Sequence, residues 1–151
     1  MRFAVPAVLV FLSMTGVPVC ASGLDDKIFD QHSIDALAAK ASQAQPREQC
    51  FIYAQMVHEM TEFSVQQYAA GDVEKASQLL RQVQELTHKI HLAVAENDKR
   101  MRNTEILLRH TAFRLTGLLR SSSFEDQSLV AETLAQVSQV QNEAMMQVFR
   151  K

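Results

Sequence analysis

Between residues 72 and 120 the apolar and small positions keep one helical stripe. Val73, Ala76, Leu80, Val83, Thr87, Ile90, Val94, Asn97, Met101, Thr104, Leu108, Thr111, Leu115 and Leu118 follow alternating steps of three and four. The run holds no proline and a single glycine, Gly117. Such alternation is a heptad seam, and about six heptads exceed the three to four that argue for coiled-coil-like packing. The pattern predicts one long central helix over 72–120 with shorter helices laid against it. At 1.5 Å per residue such a rod is about 72 Å long. Its thin place is residues 95–104, where Met101 is the only bulky apolar side chain. A break there, near Asn97, gives the alternative, an up-down four-helix bundle. The unshifted register and the lack of Gly or Pro at this waist favour continuity.

The flanking segments read as helices too. A first one is expected over 25–44, with early aspartates suited to the positive end of the helix dipole. Its apolar positions, Ile28, Phe29, Ile34 and Leu37, are few, so residues 22–45 are expected to dock loosely. Pro46 breaks the chain and suits the first turn of a second helix over 46–70. Cys50, Tyr53, Ala54, Val57, Met60, Thr61, Ser64, Val65 and Tyr68 form its inward face. Gly71 then serves as C-terminal cap and Asp72 as the next N-cap, a connection short enough to force an antiparallel hairpin. Ser123 with Asp126 has capping-box spacing ahead of a last helix over 124–149. Its inward positions are Val130, Leu134, Val137, Val140, Ala144 and Val148. No stretch alternates like a strand, and good helix formers dominate. The fold class is all-α, with antiparallel helical hairpins on the long helix.

The start of the chain reads differently. Met1-Arg2, an apolar run from Phe3 to Met14, and Val19-Cys20-Ala21 match a secretory signal over residues 1–21. The apolar run is short for a membrane span. A lipoprotein acylated at Cys20 is the alternative. Removing 21 of 151 residues leaves about 130, the size of one domain, residues 22–151. The expected location is periplasmic or secreted, with no membrane span after cleavage.

Charge adds contrast. Losing Arg2 from 15 basic residues, against 17 acidic, leaves 14 against 17, a net −3, which is not a nucleic-acid-binding balance. Residues 96–120 carry +3, whereas 46–72 carry −3 and 124–151 carry −2. A basic helix among acidic ones is self-complementary. Read for function, Lys99, Arg100, Arg102, Arg109 and Arg114 form a basic patch for an acidic protein partner. After cleavage Cys50 is the only cysteine, and it reads first as a small core residue. That leaves no CxxC redox pair and no haem attachment motif.

Two resemblances follow from particular residues. Tyr68-Ala69-Ala70-Gly71-Asp72-Val73-Glu74-Lys75-Ala76 resembles the turn between the helices of a tetratricopeptide repeat. There a tyrosine precedes a tight Gly-Asp turn, and a small alanine lets the second helix approach closely. The likeness covers about 30 residues of a unit near 34, with no second copy at that period. Thr104-Glu105-Ile106-Leu107-Leu108-Arg109-His110-Thr111-Ala112-Phe113-Arg114-Leu115 resembles a segment of uncharacterised small exported bacterial helical proteins. That resemblance implies a helical fold and export, and no activity.

One constellation suggests metal chemistry. Glu85 and His88 have the Glu-x-x-His spacing of ferritin-like sites, His91 follows on the same face, and His58 is placed opposite with Glu59 and Glu62. A dimetal site needs a second Glu-x-x-His, which the chain lacks. The candidate ligands are His58, Glu85, His88 and His91, and no cofactor is implied. Met56, Met60, Met101, Met145 and Met146 read mostly as core. Nucleophile elbows and phosphate-cradling glycine loops are missing from the sequence. The expected function is that of an exported, non-enzymatic helical protein mediating protein–protein interaction or self-association. The alternative is a periplasmic metal- or cofactor-binding helical bundle.

Overall fold

The computed structural model describes residues 29–96 and 99–150. The expected signal, Cys20 and Asn97 lie outside the described residues. These form five helices, α1 (Gln31–Gln43), α2 (Pro46–Ala70), α3 (Val73–Ala93), α4 (Met101–Ser121) and α5 (Phe124–Phe149). Among the described residues there is no strand.

Local chemistry sets most boundaries. Pro46 occupies the first turn of α2. Gly71 ends that helix in the left-handed region, at φ 85 and ψ 5, where a Cβ is strained and glycine is not. The Asp72 side chain then accepts from the Lys75 backbone N–H at 3.0 Å and starts α3. Two boundaries depart from expectation. α1 begins at Gln31, not near residue 25, because Asp30 caps it by accepting from the Ser33 N–H at 2.8 Å. No capping box forms at α5. The Ser123 hydroxyl donates to the Asp126 carboxylate at 2.6 Å and leaves the backbone uncapped by its side chain.

The larger correction concerns the long helix. α3 ends at Ala93 and α4 starts at Met101, so the continuous rod over 72–120 does not form. The alternative arrangement of separate, near-equal helices is the observed one. The physical reason is the thin waist: a straight rod leaves each half to be covered by one partner helix. Folding back lets each half pack against two.

The arrangement is two antiparallel hairpins stacked face to face. α2 pairs with α3, and α4 pairs with α5. α2 then lies on α4 and α3 on α5. Side-chain pairs set the directions. His58 with Thr111 and Glu62 with Arg114 run in the same order, so α2 and α4 are parallel. Gln84 with Thr133 and His91 with Glu143 show the same for α3 and α5. Neither diagonal pair packs together, so α3 and α4 are neighbours in sequence and not in space. α1 packs on α2, tied by Gln49, whose amide donates to the Ala41 and Ala44 carbonyls at 3.3 Å each, and Lys75 of α3 donates to Gln31 at 3.3 Å. This third neighbour explains why Ile52, Met56 and Glu59, off the stripe read from sequence, are buried as well.

The heptad seam itself is real. Every described seam position from Ala76 to Leu118 is buried, while Val73 at its start is exposed. Both halves turn this stripe into one shared core. That core is unusual in its threonines. Thr61, Thr87, Thr111 and Thr133 are buried, and each hydroxyl donates to the carbonyl four residues earlier at 2.7–2.9 Å. This back-bonding satisfies the hydroxyl without a partner helix. Thr104 is equally buried but has no hydrogen-bond partner among the described residues. Cys50 is a fully buried free thiol, and burial pushes its pKa up to about 11. It stays protonated and unreactive at neutral pH.

Candidate functional site

Shallow grooves run between neighbouring helices, and three of them hold candidate site residues. Between α3 and α5, a cavity of 420 Å³ is lined by Gln84, Thr87, His88, His91, Gln136 and Gln139, among others. The i, i+3 spacing places the two imidazoles one above the other, with ring centroids 6.2 Å apart. The parallel register of α5 brings Glu143 to His91, with Nδ1 and Oε2 2.7 Å apart. The other carboxylate oxygen of Glu143 accepts from the Gln139 amide at 3.1 Å. Polar side chains of both helices thus line this groove.

A second cavity of 500 Å³ lies between α2 and α4, lined by His58, Glu62, Arg109, His110, Phe113 and Arg114. Its floor is tied down. His58 Nδ1 is 3.2 Å from the Thr111 hydroxyl, and the Phe29 ring stands edge-on to the imidazole at 6.3 Å. Arg114 donates to Glu62 at 2.6 Å. Phe113 projects from this floor and is 77% exposed.

The third groove, 290 Å³, lies between α4 and α5, where Arg102, Ile106 and Arg109 face Met145, Val148 and Phe149. Glu105 sits within it, accepting from the Gln141 amide at 3.0 Å and lying 3.7 Å from Arg109. Phe149 is 79% exposed. Arg109 lines both this groove and the previous one and so joins them across the outer face of α4.

No protein-family model, curated protein or solved structure matches this chain. The site is therefore read from its own geometry.

The four candidate metal ligands are not brought together. His88 and His91 face α5, His58 faces α4, and Glu85 is an exposed residue of α3. Among the described residues no three His, Cys, Asp or Glu side chains are placed to hold a metal ion. The sequence reading put His58 opposite His88 because it paired α2 with α3 alone. It missed Glu143, the residue that meets His91, because a parallel α3–α5 contact has no local signal.

The basic patch is divided as well. Lys99 pairs with Glu48 of α2, and this hydrogen bond and charge hold the Glu48 carboxyl below its ordinary range. Arg100 lies over the Phe51 ring, 4.9 Å from its centroid, a cation–π geometry. Arg114 is bound to Glu62. These three knit α4 and its N-terminal turn to α2. Arg102 and Arg109 remain at the outer face, with Arg109 61% exposed. The five cations thus serve two ends, and the aromatic side chains among the outer ones were not picked out from sequence. Phe113 lies off the buried stripe, three residues past His110, which was the available signal. Of the methionines, Met56, Met60 and Met101 are buried, while Met145 and Met146 are exposed. Among the described residues no helix is long and apolar enough to cross a membrane.

Proposed function

We propose that this chain is an exported, non-enzymatic helical protein that works by binding another protein or a second copy of itself. One observation carries the reading. The outer face of α4 and the end of α5 present Phe113, Met145, Met146 and Phe149 to solvent beside Arg102 and Arg109. Arg109 joins the groove that carries Phe113 to the groove that carries Met145 and Phe149, and exposed aromatic residues beside arginine are the types that supply most binding hot spots. The stacked hairpins supply a rigid base for that face, since α4 is packed on both α2 and α5. The tetratricopeptide-like turn at Gly71-Asp72 is consistent with a hairpin-stack scaffold of this kind.

The test is photocrosslinking in the producing cell, with a photoreactive phenylalanine analogue at Phe113 or Phe149. Discrete protein adducts are expected from both positions and none from the same analogue at Gln78, an exposed residue of α3. Clean monomer at all three positions would remove the reading.

A further inference from the structure

The waist that breaks the long helix has an odd composition for a connector. Residues 94–100 contain neither glycine nor proline, and the heptad register runs through them unshifted. A tight reversal in this position ordinarily uses residues that tolerate positive φ. Here Arg100 takes that role, at φ 60 and ψ 20, and among the described residues it is the only non-glycine with positive φ. A residue with a Cβ is strained there relative to a right-handed helix. The described residues on either side of 97–98 are held by contacts outside the connection. Lys99 reaches Glu48, Arg100 covers Phe51, and the Gln147 amide donates to the Ala95 carbonyl at 3.2 Å.

The topology gives this strain an outlet. α3 and α4 do not pack on each other, so straightening the connection breaks no helix–helix contact between them. What it separates is one hairpin from the other, the α2–α4 and α3–α5 contacts. A second copy opened in the same way offers identical surfaces. We infer that two copies of this chain exchange hairpins. In the exchanged dimer the α3–α4 connection becomes helical, and the α4–α5 hairpin of each copy seats on the α2–α3 hairpin of the other.

Three observations converge on this occupant. The seam keeps one phase over both helices, which a continuous helix requires and a bent connector does not. The connector sequence is polar at 96–100, as suits a rod left bare between two helical clusters. The exchanged contacts are those of the monomer, so complementarity is already built, and only the connection changes. The inference deepens the self-association side of the proposed function and uses a different surface from the exposed α4 face.

The test uses Glu62→Cys with Arg114→Cys, on α2 and α4, whose native side chains touch at 2.6 Å. The protein is refolded at high concentration under reducing conditions and fractionated by size with light scattering. Each fraction is then treated with a short bis-maleimide and run on a denaturing gel. Cys50 is kept, because its thiol is buried. The monomer should crosslink within one chain, and a dimer fraction should crosslink between chains. Ala95→Pro, which cannot continue a helix, and Arg100→Gly, which relieves the bent form, should each lower the dimer fraction by about tenfold or more. A strict monomer after refolding, a dimer bridged only within chains, or a dimer indifferent to both substitutions would each overturn the exchange. A strict monomer that still gives photoadducts at Phe113 would sink the exchange alone. A strict monomer without adducts would sink the proposed function as well.

Discussion

Thr104→Val is expected to stabilise this protein, against the usual direction for a core substitution. Thr104 is fully buried in α4, and its hydroxyl has no hydrogen-bond partner among the described residues. An unsatisfied buried hydroxyl costs about 1–3 kcal/mol. Valine keeps the shape, keeps the β-branched χ1 preference, and has nearly the same helix propensity. Exchanging the hydroxyl for a methyl adds apolar burial worth about 0.8 kcal/mol at most. Allowing for imperfect fit, the net gain is about 1–2 kcal/mol. With a urea slope of roughly 1–3 kcal/mol/M, the unfolding midpoint should rise by about 0.3–2 M. Thr111→Val is the matched control. Its hydroxyl donates to the Leu107 carbonyl at 2.9 Å and also lies 3.2 Å from His58 Nδ1. Losing both contacts should cost about 1 kcal/mol. Urea unfolding followed by circular dichroism reads both variants. If Thr104→Val lowers the midpoint as much as Thr111→Val does, the hydroxyl accounting is wrong.

Leu108→Asp places a charge at a fully buried position of the seam and should destabilise by about 3–5 kcal/mol; an unchanged thermal midpoint would contradict the core assignment. Ala95→Pro should be mild in the monomer, about 1 kcal/mol in denaturant unfolding, because Ala95 is an exposed turn residue. The same substitution inside a continuous helix costs about 3 kcal/mol or more. The Glu48–Lys99 pair should show in the acid limb of stability. The Lys99 ammonium holds the folded carboxyl below the ordinary carboxylate range, so its contribution is fully present above the unfolded pKa and is lost as pH falls through the lowered folded value. Glu48→Gln should therefore flatten the acid limb of a stability–pH profile while leaving its curvature near neutrality, and an unchanged acid limb would refute the pairing.

The helix content and the turn chemistry were legible because their causes are local. Pro46, Gly71 and Asp72 each act within a few residues, and α2 has the bounds that those signals predict; α5 has its expected bounds without the capping box. The buried seam was legible for the same reason, since periodicity needs no partner. What periodicity cannot say is whether one stripe belongs to a rod or to two helices sharing a core. Residues 94–100 carry no breaker, so nothing local marked the turn at Arg100. The pairings across the stack were hidden too. His91 meets Glu143, and His58 meets Thr111, through contacts about 50 residues apart in sequence. The metal reading assigned His58 and His88 to one interface, whereas each faces a different helix.

The hairpin connections carry a kinetic consequence. Gly71-Asp72 and Ser122-Ser123 are both two-residue turns between long helices, so the contacts inside each hairpin join residues close in sequence. Local contacts form early because little chain entropy is lost in closing them. The α2–α4 and α3–α5 layers join residues far apart and come later. Refolding should then pass through a barrier in which one or both hairpins are built and the stack between them is open. Substitutions at positions shared within a hairpin, such as Ala76 against Ser64, should slow refolding. Substitutions between hairpins, such as Glu62 or Gln84, should mainly hasten unfolding.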